Sequence, residues 1–218
     1  MGDGETPDRA ALDAMWPGWS DDLGFVVAAD AGAIGAEALG LRVDLVVGDG
    51  DSLGDSGIAR VRESGIEIRL SPAEKDESDT ELGILACLDR TPSRITVLGA
   101  FGGPRLDHTL ANIALLAMPE LGGLDVRMLD ERTRVRLMRA DGAATTLELA
   151  GRVGDLVSLL PFGEGADGIS TAGLAYPLRG EPLLVGRVRG LSNVRSNPVA
   201  SIRLERGRLL VIESPATL

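Results

Sequence analysis

The chain has 218 residues, with 22 Lys plus Arg against 33 Asp plus Glu and a formal net charge of −11 at pH 7. Hydrophobic residues make up 44 % and charged residues 25 %, the balance of a folded chain rather than a disordered one. So acidic a composition argues against nucleic acid and anionic membrane as partners, because neutralising phosphate needs Lys and Arg; a polyphosphate is reachable through an intervening divalent cation. One cysteine (Cys87) and one histidine (His108) exclude an intrachain disulfide, a Cys-based zinc site and a multi-His metal centre. No apolar run approaches the ~20 residues of a membrane helix. The polar, acidic opening does not resemble a secretory signal, so the expected location is cytoplasmic.

The first half alternates strand and helix. Residues 25–29 are an apolar run ending at Asp30, and the Ala-rich stretch 31–39 predicts a helix. Residues 43–47 predict a strand that ends in Gly48-Asp49-Gly50-Asp51-Ser52. A helix over 58–63, a strand over 66–70, a helix over 80–88 and a strand over 95–98 follow. A glycine loop, 99–105, leads into a helix over 106–118, and 126–129 predicts one more strand. Strands separated by helices imply crossovers and a mostly parallel, Rossmann-like sheet, so the N-terminal domain is expected to be α/β. From about residue 134 the pattern becomes short strands split by Gly, Pro and Asp: 134–139, 145–149, 156–160, 168–172, 183–188, 199–204 and 209–212. That pattern predicts an all-β C-terminal domain, an antiparallel sandwich. The expected division is 1–131 and 132–218.

In an open α/β sheet, ligands bind beyond the carboxyl ends of the strands. Asp30 follows the first predicted strand, Asp49 and Asp51 the second, Asp76 and Asp79 the third, and Asp107 the fourth. Asp76 and Asp79 share a face if their segment is helical. Carboxylates gathered at one edge repel one another unless a cation neutralises them, and Mg²⁺, a hard ion held by one or two carboxylates plus substrate phosphates, suits such a set. Lys75, the Gly102-Gly103 loop and Arg105 supply phosphate donors beside these acids. The combination points to nucleotide phosphoryl transfer. Taken singly, each residue has a plainer role. Ser78 with Glu81 makes a capping box, Asp107 caps its helix, His108 and Asn112 pack, Cys87 is core, and Trp16 and Trp19 pack.

Four blocks in order carry a family resemblance: Ala28-Ala29-Asp30-Ala31-Gly32, Asp44 through Ser52, Glu74-Lys75-Asp76-Glu77-Ser78-Asp79-Thr80-Glu81, and Gly99 through Asn112. In the second half, Gly173-Leu174-Ala175-Tyr176-Pro177-Leu178 and Leu191-Ser192-Asn193 add to them. Together, over about residues 26–213, they resemble the thiamine pyrophosphokinases. The resemblance implies an N-terminal domain that binds ATP and Mg²⁺, a C-terminal domain that binds thiamine, and a homodimer. It also implies transfer of the β,γ-pyrophosphoryl group of ATP to the thiamine hydroxyl, releasing AMP. By position, it implies Asp49, Asp51 and Asp79 as metal ligands. Asp30, Ser52, Lys75, Ser78, Arg105, Asp107, His108 and Asn112 are implied as nucleotide contacts. Tyr176, Ser192 and Asn193 are implied near thiamine, and one of Asp51, Asp76 or Asp79 as the base.

The chain departs from that pattern in several places. Gly50 stands where the family usually carries Phe, Ala31 where it has Gly, and Ser78 where it has Thr, while Pro104 shifts Arg105 by one residue. The family also opens with an apolar strand whose end reads much like Gly2-Asp3-Gly4-Glu5, so the resemblance implies that this chain starts after that strand. Competing readings are a pyrophosphokinase for another alcohol such as a hydroxymethyl-pterin, a Mg²⁺-dependent phosphohydrolase, and a nucleotide or thiamine sensor that has lost turnover.

Overall fold

The structure is a computed structural model that describes residues 4–72 and 74–216. The chain divides into two compact units, Met1–Glu131 and Arg132–Leu218. The first is mixed α/β with small parallel sheets, the second a curled antiparallel sheet. The start of the strand-end segment, residues 1–3, lies outside the described residues. Gly4 N–H donates to Gly99 O (3.0 Å) and Glu5 N–H to Phe101 O (3.1 Å), so the chain enters beside the 99–101 loop.

In the first unit, β1 (Val27–Ala29), β2 (Leu45–Gly48) and β3 (Glu67–Leu70) form a parallel sheet in that order. β4 (Arg94–Leu98) and β5 (Asp125–Leu129) form a second parallel pair. All four residues of β2 are buried, as expected of the apolar middle strand of a sheet covered on both faces. β3 is largely exposed and carries Glu67 and Arg69, charges that suit an edge. Five α-helices among the described residues complete the unit. α1 (Arg9–Met15) was not foreseen from the sequence. It is capped by Asp8, whose side chain accepts from Ala11 N, and it buries Leu12 against Trp16, Trp19, Leu39, Leu98 and Leu129. Both indoles find acceptors, Trp16 Nε1–H on Asp130 O and Trp19 Nε1–H on Asp13 Oδ1, each at 2.7 Å.

α2 (Gly32–Ala38) and α4 (Asp79–Leu88) pack on β1, α4 also on β2, while α3 (Gly54–Glu63) packs on β3. α3 begins four residues before the predicted start. The N-cap of α4 is Ser78, whose Oγ accepts from Glu81 N at 3.2 Å, and Asp79 and Glu81 in its first turn complement the helix dipole. Asp76 therefore precedes α4 rather than sharing a helical face with Asp79. α5 (Leu106–Leu115) is shorter than predicted, because a 3₁₀ turn at Pro119–Leu121 closes the segment.

In the second unit, β6 (Arg134–Ala140), β7 (Thr145–Ala150), β8 (Leu156–Ala172), β11 (Val199–Leu204) and β12 (Arg206–Ser214) are ordered β6-β12-β8-β11-β7. β9 (Arg179–Leu183) and β10 (Asn193–Val194) also pair with β8. The predicted strands 156–160 and 168–172 are the two ends of β8, which continues through a register shift opposite Gly207 and Arg208. The predicted strand 183–188 is corrected: the strand lies upstream at Arg179–Leu183, and Leu184, Val185 and Val188 are exposed. The alternating strand residues Leu149, Val157, Leu159, Ile169, Ile202, Leu204 and Leu209 face one core.

Among the described residues, two opposite charges sit in that unit's interior, Glu213 and Arg195. Glu213, directly opposite Arg134 across the β12–β6 ladder, is 3 % exposed. Burial alone would raise its pKa. Hydrogen bonds and charge from Arg134 and Arg136 outweigh burial and hold it below the ordinary value. Glu213 also accepts from buried Arg195 at 2.8 Å. Glu213→Ala strips that arginine of its carboxylate and is expected to cost about 3–5 kcal/mol in urea unfolding; a loss under about 1 kcal/mol would contradict this account of the ladder.

Candidate active site

The parallel strands of the first unit set the site. β1 and β2 each end in an acidic turn and are adjacent in register, with Ala29 opposite Val47. The residues following them, Asp30 and Asp49, are therefore neighbours by construction. Asp30 N–H donates to Val47 O at 2.9 Å, fixing the crossing. Asp49 Oδ1 accepts from Asp51 N at 3.0 Å, a side-chain turn that folds Asp51 back over Asp49. As a result Asp30, Asp49 and Asp51 each offer one carboxylate oxygen, all within 4.8 Å of one another.

Asp30 is the innermost of the three, at 5 % exposure, and its backbone has φ +42°, a left-handed value uncommon for a residue with a Cβ. Its Oδ1 accepts from Gly50 N at 2.9 Å, and its Oδ2 is buried with no donor. Burial raises the Asp30 pKa to about 6, the Gly50 amide opposes the rise, and the charges of Asp79 and Asp49 add to it. Asp49 lies lower than ordinary, chiefly because Asp51 N–H stabilises its charged form. Lys75 bridges the group: its Nζ stands 2.7 Å from Asp79 Oδ1 and 3.8 Å from Asp49 Oδ2. The hydrogen bond to Asp79 holds the Lys75 pKa above the ordinary value, so it is cationic at neutral pH. Ser52 Oγ–H donates to Asp51 Oδ1 at 3.0 Å.

Asp30, Asp49, Asp51, Ser52, Lys75 and Asp79 are thus brought together. The other residues singled out in the sequence make different contacts. Asp76 is exposed, and among the described residues it makes no ion pair. Ser78 serves as the α4 cap. Arg105 and Asp107 pair with each other in a fork at the start of α5, Nε to Oδ1 at 2.9 Å and Nη2 to Oδ2 at 2.6 Å, and both are exposed. Asp107 is not the helix cap; Arg105 occupies that position, without a side-chain cap bond. The Arg105 guanidinium holds the Asp107 pKa down to about 2. His108 is exposed. Asn112 is buried and donates to Ala100 O at 3.1 Å, tying the glycine loop to α5.

In the second unit, Tyr176, Ser192 and Asn193 form a small group. Asn193 is buried and spends its amide on backbone: Oδ1 accepts from Tyr176 N (3.0 Å) and Val194 N (2.9 Å), and Nδ2–H donates to Tyr176 O (2.7 Å). It holds in place the segment from which the 70 % exposed Tyr176 ring projects. Ser192 is left-handed (φ +56°), and its N–H donates to Ser158 Oγ at 3.0 Å. Sequence reasoning missed the glycines around Asp30 and the role of Asn193 as a backbone clamp. The signal for the first was Gly48-Asp49-Gly50-Asp51 itself.

The Asp30 environment gives a pH signature. An acid whose folded pKa is raised favours folding while protonated, and loses that contribution as pH rises through the folded value. In chelator-treated protein, Asp30→Asn is therefore expected to be more stable than the parent by about 1–3 kcal/mol at pH 7.5. The gain should vanish near pH 4, as read from denaturant unfolding at each pH. Identical stability of the two proteins throughout that range would show that the Asp30 carboxyl is not desolvated.

Comparison with known proteins joins the two units. A family model described as "Thiamin pyrophosphokinase, catalytic domain" matches residues 19–127, and one described as "Thiamin pyrophosphokinase, vitamin B1 binding domain" matches 144–209. Thiamine pyrophosphokinase of Bacillus subtilis is 27% identical over 193 residues, covering 88% of this chain and 85% of that protein. The crystal structure of the Bacillus subtilis enzyme matches with a TM-score of 0.79 at 23% identity, over 93% of this chain and 94% of that one, which shows the fold. A thiamin pyrophosphokinase family protein from Enterococcus faecalis matches with a TM-score of 0.75 at 27% identity, over 86% and 87%. With both family models matched in order and together spanning most of its length, the chain belongs to the thiamin pyrophosphokinase family.

Proposed function

We propose that the protein is a thiamine pyrophosphokinase that transfers the β,γ-pyrophosphoryl group of ATP to the hydroxyl of thiamine, giving thiamine diphosphate and AMP. One observation carries the reading: three carboxylates converge beyond the strand ends, one of them with a buried oxygen that no donor reaches, in the unit matched by the catalytic-domain model. A protein does not leave a buried carboxylate oxygen unsatisfied without a reason, and a hard divalent cation answers both the orphaned oxygen and the mutual repulsion. The donor set, all carboxylate oxygen, fits Mg²⁺. Asp30, Asp49 and Asp51 would hold it, with Asp79 beside them. Once bound, the ion would neutralise charge on the phosphoryl oxygens.

The chain's own groups account for the rest of the reaction. The thiamine hydroxyl oxygen bonds to the β-phosphorus, and the bond from that phosphorus to the oxygen it shares with the α-phosphorus breaks, so AMP leaves with that oxygen. The hydroxyl proton passes to a carboxylate, either Asp51 or Asp79 of the group or the exposed Asp76 just before α4. Lys75 supplies a fixed positive charge for phosphate oxygens, and Arg105, on its exposed fork with Asp107, supplies a second cation. Orientation of two substrates supplies much of the acceleration in such transfers. In this reading thiamine lies against Tyr176, beside Ser192, where Asn193 stiffens the backbone. The finer architectural reading goes with it: a Rossmann-like nucleotide unit, a sandwich-like second unit, and a homodimer working in the cytoplasm. No described helix is long and apolar enough to cross a membrane.

Purified protein incubated with ATP, thiamine and Mg²⁺ is expected to form AMP and thiamine diphosphate in equal amounts, followed by chromatography. Asp49→Asn should cut turnover at least ~10–100-fold, the loss typical when a metal site's supporting groups are disturbed. Release of inorganic phosphate without thiamine, or undiminished turnover in Asp49→Asn, would overturn the assignment.

A further inference from the structure

Gly50 sits between Asp49 and Asp51, and its surroundings decide what a side chain there would meet. The backbone at Gly50 has φ +81°. A Cβ built on it lies 2.8 Å from Ile58 Cδ1 and 3.4 Å from Leu70 Cδ2, so a side chain would be driven into α3 and the end of β3. Neither of those contacts is a carboxylate of the group. The missing side chain therefore does not open the site, and the importance of the residue lies in its backbone.

That backbone does something specific. With φ left-handed, the Gly50 N–H is turned onto Asp30 Oδ1 at 2.9 Å. Two residues earlier, Gly48 has φ +139°, and a Cβ there would overlap the Asp30 carboxyl group. The two glycines thus make a cradle: Gly48 leaves the space into which the Asp30 carboxylate fits, and Gly50 supplies its donor. Asp49 lies between them and Asp51 just beyond, so the same turn fixes the relative positions of all three acids. An L-residue pays a conformational penalty in this region that glycine does not.

We propose that Gly50 is a positioning residue for the cation site of this enzyme, acting through its left-handed backbone and its amide on Asp30 rather than through the absence of a side chain. The inference rests on the reading of the acids as a cation site, and it assigns the ordering of those acids to the backbone of this turn.

The test separates backbone from space. Ile58→Ala removes the atom a Cβ at position 50 would strike. In that background, Gly50→Ala and Gly50→Asn both add a Cβ, but Asn enters the left-handed region far more readily than Ala. Binding of Mn²⁺ alone, read by electron paramagnetic resonance of the free ion, reports the site without ATP or thiamine. Relative to Ile58→Ala, the Gly50→Ala double variant is expected to bind Mn²⁺ about tenfold more weakly. The Gly50→Asn double variant should stay within about threefold, and half-saturating Mg²⁺ in turnover should move in the same order. Equal Mn²⁺ affinity in the two double variants overturns the proposal, as does a fall in melting temperature for Gly50→Ala with unchanged affinity. Should the alanine variant fail to fold, amide exchange in the parent protein decides: the Gly50 N–H must exchange at least ~10-fold more slowly than in an open peptide, and an unprotected amide overturns the claim. A parent that binds Mn²⁺ and ranks the variants as expected, yet makes no thiamine diphosphate, would refute the assigned reaction and leave the role of Gly50 standing. A parent that binds no Mn²⁺ would refute both.

Discussion

Like charges do not gather around a buried carboxylate without compensation, and the strand ends of the first unit are organised around that constraint. Asp30, Asp49 and Asp51 are held within 4.8 Å of one another by backbone, not by chance proximity of side chains. The parallel register of β1 and β2 sets Asp30 beside Asp49, and the turn after β2 supplies amides to both. Lys75 offsets part of the charge from the edge of the group. What it leaves unbalanced is above all the buried oxygen of Asp30, which no donor meets. A fold that keeps such a group bears a cost in stability.

The second unit handles charge differently. Glu213 is as deeply buried as Asp30, but its arginine partners fully occupy it, and its pKa is lowered rather than raised. One buried acid is satisfied and structural; the other is unsatisfied and belongs to a site. Asn193 follows the structural logic too, since its amide is consumed by the backbone around Tyr176. It fixes the backbone of the segment that carries the exposed Tyr176.

Much of this was legible from residues alone, for a definable reason. Apolar runs that stop at Asp30 and at Gly48-Asp49 mark both the strands and their carboxyl ends, so position in the fold and chemistry were read from the same letters. Ser78 with Glu81 announced the start of α4 correctly. Legibility failed where local composition and tertiary pairing disagree. Pro161, Gly163, Gly165 and Gly168 read as breakers, yet β8 runs through them because it is paired along its length with β12, β9 and β11. Leu184, Val185 and Val188 read as strand but are exposed, while Gly180 and Pro182 sit within β9. Asp107 follows β4 as the sequence places it, and its fork with Arg105, two residues away, is a contact that strand-end position alone does not announce.

In the proposed function Asp30, Asp49 and Asp51 share one cation beside the nucleotide phosphates. A crystal structure with Mn²⁺ and a non-hydrolysable ATP analogue tests it directly, because the anomalous signal of manganese locates the ion independently of any interpretation of the loop. The account predicts a peak at ordinary metal–oxygen distance, about 2.0–2.3 Å, from carboxylate oxygens of this group, with the triphosphate on its open side. A peak held elsewhere in the chain, with the Asp30 oxygen still facing no partner, would contradict it.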